Sequence, residues 1–385
     1  MPYIPDKIKA IARICAYLLV FILTVETCAR IEDRVTYGAP FFGRYDADLL
    51  RSSENGIPCN VPNARYEKWS NNSLGFRGAE VSLGKPVGMT RVVCLGSSET
   101  YGLYESNGKE WPAQMQEILP GKEFQVINSS VVGLSISNYD GYVRKHVLPL
   151  KPDIVAMCIN PLFYAVSQHR ATRRIRPLIP HPTGKVSTFS LASQSRVLPK
   201  LRQTVKQAAA TYFPDILKKY QVNILQSEIK DLEQTRLKGE KPKDSVPERF
   251  VEDFRTELES FIKLAESEGI TLILITYPSL ISSQNMSQLP EISLDIRRYC
   301  IEYSLTGMVD VFDRFNSVIR SSAEKHHISL VDMSAIVPKS TEYFGDCVHY
   351  TDRGARTIAE HVAQEILSTA LNSPSTGSKN TEGCR

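Results

Sequence analysis

The chain has 385 residues, 42% hydrophobic and 23% charged, with a formal net charge of +4. This is ordinary globular composition, and so small a charge, with no zinc-finger or RNA-binding signature, does not imply a nucleic-acid-binding protein. Eight cysteines show no Cys-x-x-Cys spacing, so a cysteine metal site is not indicated, and nothing in the sequence calls for a cofactor.

The first element is "ICAYLLVFILTV", Ile14 to Val25, preceded by Lys7, Lys9 and Arg13 and followed by Glu26, Arg30, Glu32, Asp33 and Arg34. It is short against the roughly 17–25 residues a membrane span needs. A snorkelling Arg13 extends the stretch to Ile8–Thr27. Residues 1–29 are therefore expected to be a signal-anchor helix in the inner (plasma) membrane. The basic flank is cytoplasmic and the bulk of the chain periplasmic or extracellular. A cleaved signal peptide is the rival, although "TCA" before Arg30 is a poor small-residue cleavage site. Residues 30–88 read as a connector with little regular structure, leading through "SLGFRGAE" (73–80) to the first strand.

From there the runs "RVVCLG" (91–96), "FQVIN" (124–128), "DIVAMCI" (153–159), "TLILITY" (271–277) and "ISLVDM" (328–333) lack polar alternation. They predict strands buried on both faces, as in a helix-covered parallel sheet. Phe250, Phe254, Leu258, Phe261, Ile262 and Ala265 form one helical stripe. Ala355, Ile358, Ala359, Val362 and Ile366 form another, with Thr351 as N-cap. The element order predicts a three-layer α/β/α sandwich with a doubly wound parallel sheet over 89–371. Within it, residues 164–249 are a helical insert. Between His169 and Lys206 the insert carries nine Lys or Arg and no Asp or Glu. It is open whether this is a lid, a face toward anionic lipid, a grip on an acidic polymer, or a solvated excursion paired with "SEIKDLEQ" (227–234). Residues 372–385 read as a disordered tail. Cys94 and Cys158 are expected as buried small hydrophobes. A disulfide among Cys59, Cys300 and Cys384 stays open.

Ser97 and Ser98 follow the first strand, at the sheet edge where ligand sites gather in such folds. A reactive serine needs a base. Of seven histidines, His349 lies three residues after Asp346 in the loop before the last helix. A carboxylate so placed sets the imidazole tautomer and stabilises the imidazolium that forms. His326, His327 and His361 have no such partner and read as surface residues.

Gly-x-Ser after the first strand, Gly133 after the second and Asp-x-x-His before the last helix resemble the SGNH (GDSL-type) hydrolase superfamily. "NSLGFRG", "RVVCLGSSETYG" and "DCVHYTDRGARTIAEHV" resemble the corresponding blocks of its membrane-anchored bacterial members. The resemblance spans about 70–370 apart from the insert, and implies a flavodoxin-like SGNH domain. It implies Ser98 as nucleophile, with Ser97 standing where Gly-Asp-Ser has aspartate, and Asp346 and His349 as its partners. For the oxyanion hole it implies the amides of Ser98 and Gly133 and an asparagine after the third strand. The expected Gly-x-Asn-Asp is missing from "PDIVAMCINPLFY". Asn160 is the nearby candidate, either through a shifted turn or as a plain strand-ending residue, and Leu162 holds the strict asparagine position. In α/β-hydrolases the serine lies in Gly-x-Ser-x-Gly, whereas Thr100 stands two residues beyond Ser98. The resemblance implies a serine esterase or O-acyltransferase acting on ester-linked acyl groups, with acetyl on extracytoplasmic carbohydrate as first expectation. A phospholipid or lysophospholipid esterase and a non-catalytic glycan-binding scaffold are the alternatives. Arg77 reads as a structural ion pair or a site-edge residue, and Cys347 as a packed thiol or a redox handle.

Overall fold

The structure, a computed structural model, describes residues 6–43, 45–172, 195–288 and 290–372. Much of the basic stretch of the insert (173–194) and the tail from 373 lie outside the described residues. Helix α1 (Asp6–Tyr37) carries the apolar stretch with its side chains exposed, and is long and apolar enough to cross a membrane. It runs past residue 29 because its last turns are held from the side. Ala29 and Asp33 are buried, and Glu26 accepts the backbone N–H of Arg196 at 3.0 Å. The Arg196 guanidinium lies 3.1 Å from Asp33, and Lys200 reaches Asp33 at 2.8 Å.

The connector holds more regular structure than its composition suggests. Strands β1 (Arg51–Glu54) and β2 (Ile57–Asn60) pair antiparallel. They turn through Asn55-Gly56, both with positive φ, the pairing that matches hairpin twist. A second small hairpin joins β3 (Arg65–Tyr66) to β4 (Trp69–Ser70). The segment after it is tied to the domain, since Arg77 N–H donates to Asn128 O at 3.1 Å and the Asn60 amide to Ser130 O at 3.0 Å.

The domain is built on five parallel strands, β5 (Thr90–Leu95), β6 (Phe124–Asn128), β7 (Ile154–Cys158), β8 (Thr271–Ile275) and β9 (Ser329–Val331). Their spatial order is β6-β5-β7-β8-β9, so this is the expected doubly wound α/β/α sandwich. Val92, Val93, Cys94 and Leu95 of β5 are fully buried, as a central strand covered on both faces requires. In chain order the helices are α2 (Ser98–Tyr101), α3 (Trp111–Ile118), α4 (Tyr139–Tyr142), α5 (Pro161–Thr172), α6 (Val197–Tyr212), α7 (Pro214–Leu232), α8 (Glu248–Ser267), α9 (Pro290–Tyr299), α10 (Leu305–His326) and α11 (Asp352–Asn372). Helices α3 and α11 pack together, while α10 packs against α5 and α8. Both predicted stripes, on α8 and α11, face the core. Thr351 Oγ1 accepts the Gly354 N–H at 3.2 Å as the N-cap of α11.

The described part of the insert is helical, and α6 has no buried residue. Two of its basic residues, Arg196 and Lys200, find acidic partners outside 227–234. Arg196 and Lys200 pair with Glu32 and Asp33 of α1, while Glu228 and Glu233 pair with Arg298 and Arg297 of the α9 helix. Cys59 and Cys300 are buried, and Cys384 lies outside the described residues.

Arg91 joins the connector to the sheet from inside. It is fully buried, and its guanidinium donates to Gln125 Oε1 (2.9 Å), Leu83 O (3.1 Å), Ser82 O (3.0 Å) and Leu150 O. Replacing it strands several acceptors in a dry site. Arg91→Met is expected to cost about 1–3 kcal/mol, read as a lower midpoint in urea unfolding of the detergent-solubilised chain.

Candidate active site

Each side chain singled out from sequence follows a strand of one parallel sheet: Ser98 after β5, Gly133 after β6, Asn160 after β7, and Asp346 with His349 after β9. The turn after β5 is tight. A Cβ on Gly96 would lie 2.2 Å from Thr100 Oγ1 and 2.9 Å from Cys158 O, so only glycine lets the chain pass this close to the end of β7. Ser98 opens α2 on the far side of that turn and is half-buried.

The loop before α11 explains the three-residue spacing of Asp346 and His349. Asp346 Oδ1 accepts the backbone N–H of Val348 at 2.8 Å and of His349 at 2.7 Å. This local turn presents Oδ2 to His349 Nδ1, 2.7 Å away. A bridge between Phe344 and Tyr350 closes the loop. The other ring nitrogen, Nε2, lies 2.9 Å from Ser98 Oγ across 251 positions of sequence. The Tyr104 ring stacks on the imidazole, centroids 4.9 Å apart and 6° from parallel. Burial alone would raise the Asp346 carboxyl. The hydrogen bond and charge of His349, with the amides of Val348 and His349, outweigh it and hold the group below the usual aspartate range.

The donors expected for an oxyanion are close by but engaged. Gly133 has φ +83°, and its N–H donates to Ser97 Oγ at 3.0 Å. Asn160 is more than a strand-ending residue. Its Oδ1 accepts the Phe163 N–H at 2.9 Å, which makes it the N-cap of α5 with Pro161 at the first helical position. That cap turns Nδ2 toward Tyr277 Oη (2.9 Å) and Glu99 Oε2 (3.4 Å). Leu162 is instead buried in the core.

Sequence reasoning missed Tyr104, Tyr277 and Glu99. Only Glu99 carried a local signal, a charge inside an otherwise buried turn. It is fully buried, and desolvation pushes its carboxyl above the ordinary glutamate range. Arg77 is buried beneath the turn, 3.7 Å from Glu110 and over the Tyr101 ring, so it is a structural ion pair. Cys347 is buried and its thiol is raised by desolvation, as a packed thiol is. Among the described residues no group of three or more His, Cys, Asp or Glu stands close enough to hold a metal ion.

No family model and no curated protein sequence matches the chain. Among solved structures it is similar to a variant of Axe2, an acetyl xylan esterase from Geobacillus stearothermophilus, with 13% identity over 73% of this chain and 96% of that one at a TM-score of 0.41. It is also similar to the lipase/acylhydrolase of Enterococcus faecalis, with 16% identity over 73% and 97% at a TM-score of 0.40. A third is LAE5, an alpha/beta hydrolase enzyme from the Lake Arreo metagenome, with 14% identity over 74% and 97% at a TM-score of 0.40. At these values the likenesses carry no weight for the site, which stands on its own geometry.

Because the folded pKa of Asp346 is depressed, its contribution to stability is complete above the unfolded aspartate pKa of about 3.9 and is lost as pH falls through the folded value. The gap in urea midpoint between wild type and Asp346→Asn is expected to be full above about pH 5 and to close as pH falls below about 4. A gap independent of pH would contradict it.

Proposed function

We propose that the chain is an SGNH-type serine esterase or O-acyltransferase. The observation that carries this reading is the continuous hydrogen-bonded run from Asp346 Oδ2 through His349 to Ser98 Oγ, with links of 2.7 and 2.9 Å. With the imidazole proton on Nδ1, donated to Asp346, Nε2 is left as a base toward the Ser98 hydroxyl. Ser98 Oγ attacks the carbonyl carbon of an ester as its proton passes to Nε2. The tetrahedral intermediate collapses, the ester oxygen leaves with that proton, and an acyl-serine forms. Water or a sugar hydroxyl then attacks the acyl group, giving its proton to Nε2, and Ser98 is regenerated.

The oxyanion is held by the amides of Ser98 and Gly133 and by the Asn160 side chain. Gly133 N–H turns from Ser97 Oγ to the substrate oxygen for this purpose. An exchange between a neutral acceptor and an oxyanion is favourable, since hydrogen bonds to charged acceptors are roughly twice as strong. The substrate class is ester-linked acyl groups, with acetyl on extracytoplasmic carbohydrate as the specific reading. Helix α1 is the single-pass anchor, its basic N-terminal flank in the cytoplasm and the sheet domain outside.

The test is labelling of the full chain in detergent by a fluorophosphonate probe, together with hydrolysis of a small acetyl ester. Ser98→Ala is expected to abolish labelling, and His349→Ala to lower turnover about 10⁴-fold or more. Ser97→Ala keeps labelling. A wild-type chain that neither labels nor hydrolyses, or labelling that survives Ser98→Ala, rejects the proposal.

A further inference from the structure

Glu99 is a carboxyl group next in sequence to the proposed nucleophile, fully buried and set among the groups that would carry the reaction. Its Oε1 accepts the Ser97 N–H at 3.1 Å. Its Oε2 lies between Ser98 Oγ and Asn160 Nδ2, 3.4 Å from each. Asn160 is already held on two sides, by Phe163 N–H and by Tyr277 Oη, so its second N–H faces Glu99 until an oxyanion takes that place.

We propose that Glu99, as an uncharged carboxylic acid, is a positioning residue of this site: it ties the Asn160 donor to the Ser98 turn and leaves His349 able to act as base. The proposal rests on the serine-hydrolase reading above and adds to it a residue and a protonation state.

The titratable groups facing Glu99 are Tyr139 of α4, Cys158 at the end of β7, Tyr277 after β8, and His349 and Tyr350 of the loop before α11. The phenols and the thiol are neutral, all raised by burial, which leaves His349 as the cationic partner among them. An ionised Glu99 would therefore act on the site in three ways. It would draw a proton onto His349 and so remove the base. It would put negative charge 3.4 Å from the oxygen that attacks. It would hold the Asn160 N–H in a charge-assisted bond. A neutral acid does none of these: its O–H can point to Ser98 Oγ while Oε2 still accepts from Asn160. Burial favours that form.

The experiment is the pH profile of acetyl-ester hydrolysis by the full chain. Wild type is expected to lose activity on the alkaline side as Glu99 ionises. In Glu99→Gln the alkaline decline disappears, and the maximum is reduced about tenfold or more because the amide nitrogen cannot accept as the second carboxyl oxygen does. Glu99→Asp, one methylene shorter, keeps the decline at reduced kcat. Glu99→Ala lowers kcat about 100-fold with a smaller change in KM, near the loss of one oxyanion donor. Combined with Asn160→Ala it adds less than the product of the two losses.

Independently of activity, the infrared difference between wild type and Glu99→Gln at neutral pH is expected to contain a protonated-carboxyl band. No such band, an alkaline decline retained in Glu99→Gln, or fully multiplicative losses with Asn160→Ala would each overturn the proposal. A wild-type chain without serine reactivity sinks the hydrolase reading instead, and the infrared band still decides the charge of Glu99.

Discussion

Parallel pairing is the constraint on which the rest of the molecule depends. When five strands run the same way, every loop that follows a strand emerges at one edge of the sheet. Right-handed crossovers leave few other arrangements. Ser98, Gly133, Asn160, Tyr277 and His349 each follow a different strand, and this is how residues 251 positions apart come within 2.9 Å. The order β6-β5-β7 adds the second requirement. The chain leaves β5 toward one side of the sheet and later returns on the other, and a crevice opens where the two directions part. The tight turn at Gly96 sets Ser98 at that point.

Around the crevice the chain controls charge by burial. Asp346 keeps its charge because two amides and an imidazole surround it. Glu99, a few ångströms away, accepts the Ser97 N–H and long contacts from Ser98 and Asn160, and burial outweighs them. Two carboxyl groups in one site are thus pushed in opposite directions by their neighbours. Beneath them, Arg77 and Glu110 pair inside the protein and tie the segment before β5 to the start of α3. The connector is therefore held against the domain rather than left as a tether.

The insert and α1 form a second, separate arrangement. Arg196 and Lys200 reach acidic residues on the last turns of α1, and Arg196 also covers the Tyr45 ring at 4.4 Å. A buried ion pair left with one partner is costly, so this contact holds the C-terminal end of α1 against the start of α6. Neither helix signalled it. One reads as a membrane anchor and the other as a basic excursion, and complementarity between them is visible only once both are in place.

The elements legible in the sequence are those whose signal is local. Apolar runs without alternation marked the five strands. Helical stripes marked α8 and α11, Thr351 the start of α11, and Asp-x-x-His a turn that presents a carboxylate to an imidazole. Each of these patterns is enforced by backbone geometry within a few residues. The Asn-Gly hairpin in the connector and the Asn-Pro cap of α5 are of the same kind. Both could have been read from turn chemistry alone, and were hidden by the polar composition around them. What only the tertiary structure decided is everything that depends on which loops meet: the engagement of Gly133 with Ser97, the stacking of Tyr104 on His349, the partners of the insert, and the surroundings of Glu99. The physical reason is that a side chain's charge state and hydrogen-bond partners depend on atoms within a few ångströms. In a parallel sheet those atoms come from segments whose distance in sequence carries no record of their meeting.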